Sequence, residues 1–194
     1  MIKPTELQYL VEDQIFASFG KGGWIRVVLR TIKHEKFDGA WQTYKFPWVV
    51  LERGDSVAIL IHDSVRDEVI LVEQFRPAIL KSIFEIVAGT LKPGEKILDC
   101  VRREVWEEVG LKVENIRYIT TFYPSPGATS ERIMLYHAMV NSLGENGLVN
   151  GLKSEGECIK KHVVTVNEAL GMIDAHIIED AKTIIALQNF EDEE

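Results

Sequence analysis

The segment from Gly89 to Leu111 constrains this chain most, because it joins a helical repeat of apolar residues to a dense set of carboxylates. It reads GTLKPGEKILDCVRREVWEEVGL, and its apolar residues recur at steps of three and four. That spacing predicts a helix over residues 95–109 with one apolar stripe, ending at Gly110 in a left-handed C-cap. Four residues of the segment are glutamates, namely Glu95, Glu104, Glu107 and Glu108.

Glu104 and Glu108 lie one turn apart on this helix, about 40° from each other around its axis and beside the apolar stripe. Like charges at that spacing destabilise a helix, and more strongly near a buried face, where water screens them poorly. One interpretation is an amphipathic helix with an acidic, solvated face. The other interpretation is a binding site for a divalent cation, since Mg²⁺ prefers one or two carboxylates together with phosphate oxygens of a substrate. Arg103 and Glu95 favour the cation, because they can form an ion pair that anchors the neighbouring carboxylates.

The spacing of Gly89, Glu95 and the run Arg103–Leu111, which reads REVWEEVGL, matches the Nudix box at every defined position. The chain therefore resembles Nudix hydrolases, which cleave a nucleoside diphosphate linked to another group. The resemblance implies an α/β (α+β) fold, an α/β/α sandwich with a mixed sheet. The many strands and few helices indicated along the rest of the chain agree with that class.

The resemblance also implies a divalent cofactor, Mg²⁺ or alternatively Mn²⁺. The metal ligands that it implies are Glu104, Glu107, Glu108 and the backbone carbonyl of Ala88. The same three glutamates are the implied catalytic residues, together with Arg103, which would position them with the help of Glu95. A metal held in this way neutralises phosphates, polarises a phosphorus centre and lowers the pKa of an attacking water.

A second segment, YPSPGATSE at residues 123–131, is similar to a loop of ADP-ribose pyrophosphatases and their nucleoside diphosphate sugar relatives. This likeness implies hydrolysis of ADP-ribose to AMP and ribose 5-phosphate. A broader nucleoside diphosphate sugar hydrolase, acting for example on GDP-mannose, is the alternative. A nucleotide sensor without catalysis is less favoured, because the box keeps its glutamates. The implied substrate-binding residues are Arg76, Glu85, Ser125, Gly127 and Glu131.

The general base is expected on the glycine-rich segment 141–157, which is predicted to be a long loop. In the resembled family the base is often a glutamate of a mobile loop outside the box. Alignment by eye through the following strand puts Glu155 at that position, with Glu157 as the alternative. Such a loop can bring the base to the attacking water only when substrate is bound.

The first part of the chain is rich in β-branched and aromatic residues, which predicts strands. We expect residues 1–52 to form an N-terminal segment of antiparallel strands for dimerisation, and residues 53–194 to form the Nudix hydrolase domain. The resemblance implies a homodimer that exchanges these strands. Trp48 is a candidate for stacking on the nucleobase, although its alternation with Phe46 also fits a strand face packed in a dimer.

The formal net charge of −8 excludes a general binder of nucleic acids or anionic membranes, since both require basic patches. It also disfavours an RNA-end hydrolase, while a small phosphate-containing substrate stays compatible through bound metal. The N-terminal residues have charges throughout, so no signal peptide is expected, and no apolar run approaches the length of a membrane span. Two cysteines are too few for a disulfide scaffold. We therefore expect a cytoplasmic protein.

Overall fold

A computed structural model describes residue 3 and residues 5–19, 25–113, 115–151 and 157–191. The chain divides into two compact units. The first comprises Met1–Gly54 and Ser125–Glu131, and the second comprises Asp55–Pro124 and Arg132–Glu194. By packing, therefore, the loop at residues 125–131 groups with the N-terminal strands, whereas the sequence analysis placed it in the second part of the chain.

The first unit is an antiparallel sheet in which β2 is the central strand and pairs with β1, β3 and β4. A turn at Asp38 and Gly39 joins β2 to β3, and Gly39 adopts a φ of 80°, which favours glycine. Arg30 of β2 binds Asp13 of β1 and Glu52 of β4, so one guanidinium links three strands. The strands span Tyr9–Phe19 (β1), Ile25–Glu35 (β2), Trp41–Thr43 (β3) and Trp48–Glu52 (β4).

The second unit contains a mixed sheet in the order β11-β12-β6-β5-β10-β9, with β7 pairing with β6 and β8 with β5. Strands β5 and β10 are parallel, and their described neighbours pair antiparallel. The apolar run at residues 83–89 is divided at Ile86 into β7 and β8. The strands span Ser56–Asp63 (β5), Glu68–Arg76 (β6), Lys81–Glu85 (β7), Val87–Thr90 (β8), Asn115–Phe122 (β9), Ile133–Met139 (β10), Val149–Asn150 (β11) and Ile159–Thr165 (β12).

Local capping signals mark several helix ends of the second unit. Gly110 ends the first with a φ of 69° and donates to Trp106, which confirms the left-handed C-cap. Thr165 and Glu168 form a capping box at the start of the second, and Asp180 accepts from the backbone of Thr183 in the third. The helices span Ile97–Val109 (α1), Val166–Asp174 (α2) and Ala181–Glu191 (α3).

Both faces of the central sheet are buried, which is visible in the side chains of β5. Val57, Ile59 and Ile61 belong to a core cluster that includes the apolar stripe of α1. Ala58 and Leu60, which alternate with them, belong to a second cluster with residues of α2 and α3. Helices therefore cover the two faces of one mixed sheet, and the predicted α/β/α sandwich is confirmed. In the described residues, no helix is long and apolar enough to cross a membrane.

Candidate active site

Helix α1 brings its carboxylates to the border of the core because of its spacing. Val101 and Val105 are fully buried against the sheet, and Glu104 and Glu108 flank them on the same helix. Only 9% of Glu104 and 5% of Glu108 is exposed. Burial of two carboxylates one turn apart is costly unless other groups compensate their charge. The predicted arrangement of these two residues is present in the structure.

Arg103 is the organising cation of this helix. Its Nε and Nη2 atoms donate to the two oxygens of Glu95, at 2.7 and 2.9 Å, which forms a bidentate pair. Its Nη1 atom donates to Glu104 at 2.6 Å and to Glu107 at 2.9 Å. The hydrogen bonds from Arg103 hold the pKa of Glu95 at about 2, well below its usual value. Arg103 is thus hydrogen-bonded to three box glutamates, Glu95, Glu104 and Glu107, and its predicted role in catalysis stays a prediction.

Gly89 of β8 is required by the position of Glu104. A Cβ atom at residue 89 would lie 1.9 Å from the carboxyl carbon of Glu104, so the carboxylate rests directly on the strand backbone. Ala88, whose carbonyl is the predicted fourth ligand, is the preceding residue of the same strand. The glycine of the box therefore brings backbone and carboxylate together.

The electrostatics of Glu104 and Glu108 suit a bound cation. Burial raises the pKa of Glu104 to about 7, and it raises the pKa of Glu108 well above its usual value. The negative charges of Glu107 and Glu157 raise the pKa of Glu104 further, and those of Glu104 and Glu157 raise the pKa of Glu108. Glu108 also has a buried Oε2 atom without a described hydrogen-bond partner. Within the described ranges no group of three or more His, Cys, Asp or Glu side chains is arranged to hold a metal ion, and Arg103 forms ion pairs with Glu104 and Glu107.

The segment 141–157 carries the predicted general base. Glu155 lies outside the described residues. Glu157 is described, and its charge is close enough to raise the pKa of both Glu104 and Glu108, for which burial is the main cause. Gly151 allows the chain to fold back here, because a Cβ atom at that position would lie 2.9 Å from Cβ of Glu157. A glutamate of this segment therefore belongs to the electrostatic surroundings of α1.

Arg76 and Glu85, both predicted to bind substrate, form an ion pair between β6 and β7. Arg76 donates from Nε to Oε2 of Glu85 at 2.9 Å and also from Nη2 to the same oxygen. Lys182 of α3 donates to Oε1 of Glu85 at 3.0 Å and to Asp180 at 3.0 Å. Sequence reasoning missed Lys182. The pairing of Lys182 with Glu85 joins positions 97 residues apart, which no local pattern can indicate.

The remaining predicted substrate residues belong to the first unit. Ser125 accepts from Ala128 and Thr129 through its carbonyl, which closes a tight turn containing Gly127. Glu131 is 9% exposed and lies 3.6 Å from Arg53.

Trp48 also belongs to the first unit. It is 44% exposed and makes an edge contact with Tyr44 at 5.5 Å between ring centroids. Its stacking role, like the roles of Ser125, Gly127 and Glu131 in binding substrate, stays a prediction.

Comparison with known proteins agrees with the geometry of α1. The family model described as NUDIX domain matches residues 52–187. The ADP-ribose pyrophosphatase of Escherichia coli (strain K12) is 35% identical over 196 residues, which cover 92% of this chain and 93% of that protein. The GDP-mannose pyrophosphatase of Cronobacter sakazakii is 29% identical over 170 residues, covering 84% and 87%. The methanol dehydrogenase activator of Bacillus methanolicus is 39% identical over 122 residues, covering 63% and 64%.

Proposed function

The chain belongs to the NUDIX domain family, and from this premise we propose that it hydrolyses the diphosphate of ADP-ribose to AMP and ribose 5-phosphate. The observation that carries the reaction class is the buried pair Glu104 and Glu108, one helical turn apart, of which Glu104 is hydrogen-bonded by Arg103 and lies against Gly89. The substrate is supported by relatives named ADP-ribose pyrophosphatase, which are similar over nearly the whole chain.

The proposed cofactor is Mg²⁺, with Mn²⁺ as a substitute. Glu104, Glu107, Glu108 and the carbonyl of Ala88 would hold it. Bound there, a divalent cation neutralises the diphosphate and lowers the pKa of an attacking water. The fit is supported by the orphaned Oε2 atom of Glu108 and by the raised pKa values of Glu104 and Glu108, because a cation favours the ionised carboxylates that burial disfavours.

Orientation of the glutamates, phosphate binding and proton transfer are assigned to separate residues. Arg103 keeps Glu104 and Glu107 oriented through its Nη1 atom, so their geometry is set before substrate arrives. Arg76 is proposed to bind a phosphate oxygen of the substrate, which a guanidinium suits well. The proton of the attacking water would pass to a carboxylate of the segment 141–157, either Glu155 or Glu157. The charge of Glu157 near Glu104 supports a base from this segment.

The proposed assembly is a homodimer in which N-terminal strands are exchanged. The first unit supports this, because large apolar side chains on its strands are exposed, among them Tyr9 and Phe16 on β1 and Val49 on β4. Exposed apolar patches of this kind mark interaction sites. We further propose that the enzyme works in the cytoplasm and acts on a small molecule. We propose no nucleic acid or membrane as partner, and the net charge of −8 supports this last point.

A substrate panel tests this function. Purified protein with Mg²⁺ is assayed against ADP-ribose and GDP-mannose side by side, and kcat/KM is compared. We expect a preference of at least about tenfold for ADP-ribose, which corresponds to about 1.4 kcal/mol of differential transition-state binding. Equal rates would point to the broader nucleoside diphosphate sugar hydrolase that the GDP-mannose pyrophosphatase relative suggests. No hydrolysis of either substrate would contradict the proposal.

A further inference from the structure

A buried set of charges connects the start of α3 with the sheet edge that carries Arg76. The set consists of Arg76, Glu85, Asp180 and Lys182, which we call the α3 charge network. The side chain of Glu85 is 5% exposed and that of Lys182 is 10% exposed, whereas that of Arg76 is 40% exposed. Glu85 and Lys182 therefore form the buried part of the network. Arg76, which is proposed to bind the substrate, is its most exposed member.

The two oxygens of Glu85 are divided between two cations. Both donors that Arg76 contributes, Nε and Nη2, converge on Oε2. Oε1 is occupied by the ammonium of Lys182 at 3.0 Å. Arginine and a free carboxylate normally form a fork in which two nitrogens meet two oxygens. Here Lys182 occupies the second oxygen, and no described residue accepts a hydrogen bond from Nη1 of Arg76.

Lys182 is itself held firmly. Asp180 accepts from Lys182 with Oδ1 at 3.0 Å, and its Oδ2 accepts from the backbone and the hydroxyl of Thr183 at 3.0 and 2.6 Å. The hydroxyl of Thr183, which is fully buried, accepts from the backbone of Ile86, the residue after Glu85. Helix α3 is thus attached to the end of β7 at two points. This attachment fixes the ammonium of Lys182 against one oxygen of Glu85.

We propose that Lys182 is a positioning residue for diphosphate binding: by occupying Oε1 of Glu85, it shares the negative charge of that carboxylate, so that Arg76 is only partly neutralised and presents its Nη1 atom to a phosphate oxygen. The inference rests on the proposed function, in which Arg76 meets the diphosphate. Lys182 touches neither substrate nor metal in this role. It acts on binding through Glu85 and Arg76.

The network also faces the box. The charges of Arg76 and Glu85 both affect the pKa of Glu108, which is raised mainly by burial. Arg76 lowers this pKa and Glu85 raises it. Without Lys182, Arg76 would be the one described cation paired with Glu85, and the whole negative charge of Glu85 would offset that of Arg76. Less positive charge would then be available to the substrate at this edge of the site. A purely structural ion pair would give a different result, since its removal would change stability without selectively weakening diphosphate binding.

The test compares Lys182→Met with the wild type, with Lys182→Arg and with Lys81→Met. The control at Lys81 is closely matched, because Lys81 also joins β7 to the segment before α3, through an exposed ion pair with Glu179 that does not touch Glu85. Steady-state kinetics with ADP-ribose and Mg²⁺ give KM and kcat for each protein. Calorimetric titration with inorganic pyrophosphate gives an affinity that does not depend on turnover.

We expect Lys182→Met to raise KM and the pyrophosphate Kd at least about tenfold while kcat changes less than about threefold. Lys182→Arg should recover most of the affinity, and Lys81→Met should behave like the wild type. When Arg76→Gln is already present, adding Lys182→Met should change KM less than about twofold, because the effect passes through Arg76. An equal effect with and without Arg76 overturns the inference.

Unchanged pyrophosphate affinity in Lys182→Met also overturns it. If Lys182→Met does not fold, Lys182→Gln takes its place, and failure of both to fold identifies a structural role and overturns the inference. A wild-type protein that does not turn over ADP-ribose contradicts the proposed function, while the pyrophosphate titrations still decide the role of Lys182 on their own.

Discussion

The metal-free protein should lose stability as the pH rises from 4.5 to 7, because folding keeps Glu104 protonated in this range. Burial raises the pKa of Glu104 from 4.5 to about 7. Between these values the folded protein binds more protons than the unfolded chain, so the free energy of unfolding falls with rising pH. Since each pH unit corresponds to about 1.4 kcal/mol, the loss from this residue is about 3 kcal/mol. For a chain of this size that is a decrease in Tm of about 6–12 °C.

Two other carboxylates with shifted pKa values, Glu108 and Glu95, also affect how the stability depends on pH. The pKa of Glu108 is raised by burial as well, so Glu108 adds to the same loss. Glu95 acts in the opposite direction, because hydrogen bonds from Arg103 lower its pKa to about 2. The stability that Glu95 contributes is fully present above pH 4.5 and is lost only as the pH falls toward 2. It therefore does not oppose the predicted decrease between pH 4.5 and 7.

The assay is thermal unfolding in EDTA across this pH range, repeated with Mg²⁺ and with the double variant Glu104→Gln/Glu108→Gln. Mg²⁺ should raise Tm most at the high-pH end, since it binds the ionised carboxylates of the folded state. The double variant should lose most of the pH dependence and gain stability in EDTA near pH 7. A wild-type Tm that stays constant or rises from pH 4.5 to 7, or a slope that the double variant keeps, would refute the electrostatic account of the site.

Three further changes have defined outcomes. Either Glu155→Gln or Glu157→Gln should lower kcat at least about 100-fold with little change in KM, as expected for loss of the general base. If both variants are fully active, the general base does not come from this segment. Gly89→Ala should lower kcat by a similar factor, because the new Cβ atom would lie 1.9 Å from the carboxyl carbon of Glu104 and displace that carboxylate from its hydrogen bond with Arg103. Normal kinetics would show that this contact is not needed. Deletion of residues 1–50 should give a monomer of low activity by light scattering and kinetics, and a fully active monomer would disprove strand exchange.

The helix and its carboxylates could be predicted from the sequence because every relation involved is local. Glu104 and Glu108 are one turn apart, and Arg103 is adjacent to Glu104 in the chain. The C-cap is local too, so the end of α1 at Gly110 was recognisable from a single residue. The fold class followed from the box by resemblance, and the two buried faces of β5 confirm it.

Long-range pairs escaped prediction for a physical reason. Lys182 meets Glu85 only because α3 packs on the sheet beside β7, and a lysine near a helix start is ordinarily solvated. The same holds for the loop at residues 125–131, which packs with the N-terminal strands through a hydrogen bond from Leu51 to Ala128. Its sequence indicated a turn but gave no sign of the strands it would join. The break at Ile86 between β7 and β8 has no glycine or proline beside it that would mark it in the sequence.

The central claim is that Glu108 and its neighbours on α1 catalyse hydrolysis of ADP-ribose with a divalent metal. The most direct measurement is formation of AMP and ribose 5-phosphate from ADP-ribose by the wild type and by Glu108→Gln, each with Mg²⁺ and with EDTA. We predict rapid formation of both products by the wild type with Mg²⁺ and none with EDTA. Glu108→Gln should be slower by at least about 1,000-fold while its Tm without metal is equal or higher, since a neutral amide replaces a carboxylate whose ionisation burial disfavours. Comparable turnover by Glu108→Gln, or full wild-type activity in EDTA, would contradict the claim.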